Sequence, residues 1–146
     1  MHVPPEVADK FFEKDFNRGA VLATEMFFSD GTTRKKYLVV LNQHPADSET
    51  LLFLTTSKVD FYEKHSGLLD CIKVEVGTLP FFPLVTIINC RQVQPMPRAE
   101  LKKRFREGKL IFLGNLPQNI LEKIDQIVAA SRLISVRHKK AILGWK

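Results

Sequence analysis

The chain has 146 residues, 45% hydrophobic and 26% charged, with a formal net charge of +6 at neutral pH. That length suits one compact domain with a real core. The composition excludes a disordered chain, and no run approaches the ~20 apolar residues of a membrane-spanning helix.

The first stretch, MHVPPEVADKFF, lacks the charged opening and apolar run of a secretion signal. Pro4 and Pro5 precede EVADKFFEKDF, where Val7, Phe11 and Phe12 recur at helical spacing. A short N-terminal helix is predicted, with Pro5 tolerated in its first turn. Residues 1–17 are set apart as a helical extension that packs against a sheet.

Residues 18–58 organise the rest. They read RGAVLATEMFF, the turn SDGTT, RKKYLVVLNQ, a polar loop around His44 to Ser48, and LLFLTTSK. Asp30-Gly31 is a hairpin signal, because Gly accepts the positive φ of tight connections. The flanking runs, about Ala20 to Phe28 and Lys35 to Asn42, are rich in Val, Leu, Phe and Tyr, which makes them an antiparallel strand pair. Leu51 to Thr56 is a third strand, apolar on both faces and therefore buried. Arg34, Lys35 and Lys36 then stand at one strand mouth, and Thr55, Thr56, Ser57 and Lys58 at the end of another. Periodicity does not say whether the two mouths meet.

Lys58 to Gly67 reads as an irregular loop with the aromatic pair Phe61-Tyr62. Cys71 to Val76 alternates strictly, as a strand with one wet face does. Gly77 to Pro83 is a turn containing Phe81-Phe82, and Leu84 to Val93 is a further strand. Pro95 and Pro97 are expected to break the sheet. RAELKKRFREG is a short helix closed by Gly108, followed by the short apolar LIFLG. Asn115 is the expected cap of a terminal helix with Pro117 in its first turn. Its Leu116, Ile120, Leu121, Ile124, Ile127 and Val128 form a stripe of period 3.6. Residues 135–146 are set apart as a basic tail.

The charge is uneven. Residues 1–97 hold 10 Lys/Arg and 12 Asp/Glu, whereas residues 98–146 hold 12 and 4. A basic half suits a polyanion such as RNA, since each neutralised phosphate releases a counterion. A solvated helical face would give much the same count. Cys71 and Cys90 both lie in apolar runs, so buried thiols in a reducing, cytoplasmic setting are expected in place of a disulfide framework. His2, His44, His65 and His138 are scattered without ligand-like spacing, so no metal site is expected. There is no phosphate-cradling Gly-rich loop and no Cys-His signature.

R-G-x-V, a hairpin, a basic residue, x-LVVLN and a strand ending in T-S-K resemble, in that order, the PemK/MazF family of toxin ribonucleases, which usually reads RGDVY…RPVLVIQN…ITS. LVTIINCRQVQPMPRAEL resembles that family's later strand, arginine and helix, and GKLIFLGNLPQNILEKIDQIVAASRLI its closing strand and terminal helix. The similarity spans residues 18–134. It implies a mainly β fold with added helices (α+β): a small SH3-like antiparallel β-barrel with a C-terminal amphipathic helix. The implied activity is a sequence-selective single-stranded RNA endoribonuclease that needs no metal or cofactor. Such an enzyme is the toxin of a type II toxin–antitoxin pair, a homodimer blocked by a separate, largely disordered antitoxin protein.

In that family an arginine opening the second strand and a Thr or Ser ending the third serve the attack of the ribose 2′-OH on its phosphate. Their places fall on Lys36 and Thr56. Lys36-Tyr37 departs from the usual Arg-Pro, and a lysine lacks the planar fork of arginine. Arg34, two residues earlier on the same strand face, is the alternative source of a guanidinium. Arg34, Lys36 and Thr56 are thus the catalytic candidates, and Lys35, Ser57, Lys58 and Arg91 the RNA-binding ones. Phe61, Tyr62, Phe81 and Phe82 are stacking candidates, although most of the eleven Phe are expected in the core. The competing reading is a non-catalytic RNA- or protein-binding module on the same fold. Lys36 favours that module, while Thr56-Ser57-Lys58 favours the enzyme. A gyrase-directed toxin on the related fold fits the basic half less well.

Overall fold

The computed structural model describes residues 4–44, 46–57 and 70–145. In chain order the elements are α1 (Pro5–Asp15), β1 (Ala20–Phe27), β2 (Thr33–Val40), β3 (Glu49–Thr56), β4 (Cys71–Val74), β5 (Thr86–Asn89), β6 (Gln94–Pro97), α2 (Arg98–Arg106), β7 (Leu110–Asn115), α3 (Gln118–Ala130) and α4 (Val136–Leu143). The fold is α+β. Strands run β4-β5-β3-β2-β1-β7 across the sheet, with β6 also pairing β3, and every pairing among them is antiparallel.

Successive strand residues point to opposite faces, and in the central strands both sets are apolar. Val21, Val39, Leu51 and Phe53 join one buried cluster, while Leu22, Leu38, Val40 and Leu52 join the other. The sheet is therefore covered on both sides, as the doubly apolar Leu51–Thr56 run requires. Helices α3 and α4 cover the first face through Ile120, Ile124, Val128 and Ile142. Helices α1 and α2 cover the second through Phe12, Phe16 and Leu101. Burying each such side chain contributes roughly 1.5–3 kcal/mol.

The β1–β2 hairpin forms as its sequence predicts. Gly31 takes φ 84°, Phe28 N–H donates to Thr32 O at 2.9 Å, and Asp30 Oδ1 accepts from the Thr32 amide and hydroxyl. The N-terminal helix does pack on the sheet. Its inward residues are Ala8, Phe12 and the following Phe16, whereas Val7 and Phe11 are exposed.

Three expectations are corrected. Pro95 and Pro97 do not break the sheet: Gln94–Pro97 is β6, pairing with Glu49–Leu52 of β3. Pro lacks the ladder N–H, and β6 tolerates it because its pairing is on one side only. The single strand expected over Leu84 to Val93 is accordingly two. Thr55 pairs with Ile88 but Leu52 with Gln94, so extra residues at 90–93 separate two registers, with Cys90 among them buried in the core. Asn115 is not a helix cap but the last residue of β7, and Pro117 is the N-cap of α3.

The stretch set apart as a basic tail folds as α4. Ser135 Oγ caps it by accepting from His138 N–H at 3.2 Å, and Gly144 closes it at φ 73°. No helix among the described residues is long and apolar enough to cross a membrane.

Candidate functional site

β2 pairs with β1 from Thr33 onward, but its ladder with β3 begins only at Leu38. At the point of separation Thr55 Oγ1 donates to the Tyr37 carbonyl at 3.1 Å. Beyond it the strands diverge around a cleft of about 230 Å³. One wall is Lys35, Lys36 and Tyr37 of β2, and another is Thr55, Thr56 and Ser57 at the end of β3. Pro83, Leu84 and Thr86, leading into β5, complete it. The two strand mouths do meet.

The framework behind the cleft is apolar and fixed. Tyr37 stacks on Phe82 with ring centroids 5.8 Å apart. Phe82 is buried and meets Phe81 edge-on at 5.0 Å. Phe81 in turn lies so close to β7 that a Cβ on Gly114 would come within 2.7 Å of it, so only glycine fits there without moving the ring. Thr86 Oγ1 donates to the Leu84 carbonyl at 2.9 Å, holding the backbone of the third wall.

Chemically, the cleft combines two lysines with the hydroxyl residues Tyr37, Thr56 and Ser57, the Thr55 and Thr86 hydroxyls being given to the Tyr37 and Leu84 carbonyls, and none of the described lining residues is a carboxylate. Cationic and hydroxyl donors converging on a concave site suit an anion with several acceptor oxygens, such as a phosphodiester.

Of the residues singled out in the sequence, Lys35, Lys36, Thr56 and Ser57 line this cleft together. Arg34 does not. Its guanidinium lies 4.3 Å from the Phe28 ring centroid and 3.5 Å from Asp30 Oδ2, at the hairpin turn. Lys36 Nζ is 5.8 Å from the same ring, so Arg34 and Lys36 share a face as alternation requires. The Asp30 carboxyl is held below its ordinary value, first by the Thr32 hydroxyl and amide and then by the Arg34 charge. Arg91 follows the far end of β5 from Thr86, its amide donating to Asn89 Oδ1. Phe81 and Phe82 belong to the packing behind the cleft. Lys58, Phe61, Tyr62, His2 and His65 lie outside the described residues.

The basic second half is partly engaged within the molecule. Arg98 bonds Glu13 at 2.5 Å, Lys102 bonds Glu13 at 3.3 Å, and Arg106 takes both oxygens of Asp9 at 2.7 Å. These bonds tie α2 to α1 and hold both carboxyls below their ordinary values. Lys139 Nζ donates to Ala129 O at 3.1 Å, at the carbonyl end of α3, where a cation complements the helix dipole.

Tyr37, Pro83, Leu84 and Thr86 were not legible as site residues. The only signal for the last three is the non-local β3–β5 pairing, which no local pattern encodes. Comparison with known proteins adds nothing: no family model and no curated protein matches the chain.

Proposed function

We propose that the cleft between Lys36 and Thr56 is the active site of a metal-independent endoribonuclease of PemK/MazF type, acting on single-stranded RNA in the cytoplasm as the toxin of a toxin–antitoxin pair. The observation that carries this reading is the convergence of Lys36, Thr56 and Ser57, distant in sequence, on one concave cationic site. The antiparallel seven-stranded α+β sheet is compatible with a small barrel-like fold of that kind.

In this reading the ribose 2′-oxygen bonds to the adjacent phosphorus as the P–O5′ bond breaks. The products are a 2′,3′-cyclic phosphate and a 5′-hydroxyl; the 2′ proton leaves to water, and the departing oxygen takes one from water. The Lys36 ammonium stabilises the charge that builds on the phosphorane oxygens, and the Thr56 and Ser57 hydroxyls donate to them. The protein works as a homodimer that a separate antitoxin holds inactive. Light scattering over a range of concentrations reads the dimer, and a strict monomer at high concentration removes that part.

A second reading is favoured by Lys36 itself, a point charge where the family places a bidentate arginine: a non-catalytic RNA-binding module. Incubating antitoxin-free protein with single-stranded RNA in excess chelator separates the two. Fragments are expected from the enzyme, whereas RNA bound but intact leaves the module.

A further inference from the structure

Leu84 is 60% exposed, yet it is not the tip of a loose loop. Its carbonyl accepts from Thr86 Oγ1 at 2.9 Å, and two residues before it Phe82 is buried under the Tyr37 ring. Leu84 and Pro83 thus form a fixed apolar wall in a cleft whose opposite wall is cationic. Water gains nothing from such a wall, and a bare phosphate has no use for it. A ligand with a flat apolar part joined directly to an anion fills both sides. In RNA that ligand is a nucleotide whose base is unpaired.

We propose that Pro83 and Leu84 are the base platform of this cleft, so that it reads one unstacked base beside the phosphate held at Lys36 and Thr56. The inference rests on the RNA-cleaving reading, which already takes single-stranded RNA, and assigns the contact with the base to Pro83 and Leu84. Duplex RNA, whose bases are covered by stacking on both faces, is excluded by geometry. An aliphatic surface offers a base no hydrogen-bonding group, so the platform sets strandedness and not sequence.

The test uses a short single-stranded RNA with 2′-fluoro sugars, which has no attacking hydroxyl, and a series of copies with one abasic position walked along it. Binding is read by fluorescence anisotropy for the wild type, Leu84→Ala, Leu84→Trp and Lys36→Ala. One abasic position is expected to weaken wild-type binding by at most about fivefold, the low end for a base stacked on an aromatic side chain, since Pro83 and Leu84 are aliphatic. Leu84→Ala should weaken binding of the intact RNA by the same factor and bind the abasic copy no more weakly than wild type does. Leu84→Trp should strengthen binding of the intact RNA only. Lys36→Ala should weaken intact and abasic RNA alike. If Leu84→Ala binds intact RNA as wild type does while Lys36→Ala loses affinity, the platform is wrong and the cleft reading stands. If Lys36→Ala also binds as wild type, or wild type binds no RNA, both fall. Leu84 is exposed, so the variants are expected to fold, and an unchanged far-ultraviolet circular dichroism spectrum with an unchanged urea midpoint confirms it.

Discussion

Lys36 of β2 and Thr56 of β3 line one cleft, although the ladder that joins their strands stops short of both, at Leu38 and Leu54. Arg34, on the same strand face as Lys36, is drawn away to Asp30 and Phe28 at the hairpin turn. Because Lys36 lines the cleft and Arg34 does not, in the proposed ribonuclease reading the cationic role at the phosphate falls to Lys36. Lys36→Ala should lower the cleavage rate by on the order of 10²–10³, the loss seen when a donor to developing negative charge is removed, and Arg34→Ala by far less. Thr56→Ala should lower kcat with little change in KM, as expected of a group acting mainly in the transition state. Single-turnover kinetics on one RNA substrate decide this. A larger loss from Arg34→Ala would move the site toward the hairpin.

RNA affinity should fall as salt rises, but less steeply than the charge of residues 98–146 suggests. Arg98, Lys102 and Arg106 are engaged by Glu13 and Asp9 of α1. Each phosphate neutralised on a single strand contributes about −0.7 to the slope of log affinity against log salt. Lys35→Ala and Lys36→Ala should each remove roughly one such contact, whereas Arg106→Ala should leave the slope unchanged. Anisotropy titrations at several salt concentrations read it. An equal effect of Arg106→Ala would place the RNA on α2.

Phe12 is fully buried, stacked on Phe16 at 4.6 Å and in contact with Phe105 and Phe112. The N-terminal helix is therefore part of one core and not an appendage. Phe12→Ala should cost about 3–5 kcal/mol, measured by urea unfolding. A loss under about 1 kcal/mol, typical of a surface change, would mean the helix is dispensable.

The α1–α2 clamp gives stability a specific acid dependence. Asp9 is held below its ordinary 3.8 chiefly by the hydrogen bond from Arg106, and Glu13 below its ordinary 4.5 chiefly by that from Arg98. Below these ordinary values the unfolded chain binds protons that the folded chain refuses. The stabilisation is thus complete above them and is lost as pH falls through the lower folded values. The double variant Asp9→Asn, Glu13→Gln should be less stable near neutrality and lose less on acidification. Urea midpoints across about pH 6 to 3 test this, and parallel curves for variant and wild type would contradict it.

What was legible in the sequence was local. The Asp30-Gly31 turn, the doubly apolar Leu51 to Phe53 and the Ile120, Ile124, Val128 stripe each carry their own signal, and each forms. What was not legible depends on partners far away. Pro95 and Pro97 read as breakers because their tolerance comes from pairing β3 on one side only. Helix α4 was hidden because Arg137, Lys139 and Lys140 mask its one fully buried residue, Ile142. At the cleft, the two mouths were visible but their meeting was not. The wall at Pro83 and Leu84 exists only because β5 pairs with the end of β3.

The measurement that bears most directly on the cleft as a ribonuclease site is the chemical identity of the new RNA ends. Single-stranded RNA is incubated with wild type, Lys36→Ala and Lys36→Arg in excess chelator, and the fragments are resolved by mass. Wild type should leave a 2′,3′-cyclic phosphate facing a 5′-hydroxyl, and a single 2′-deoxy sugar at the cut position should abolish cleavage while leaving binding nearly unchanged. Ends bearing a 3′-hydroxyl and a 5′-phosphate, or no cleavage by either wild type or Lys36→Arg, would contradict it.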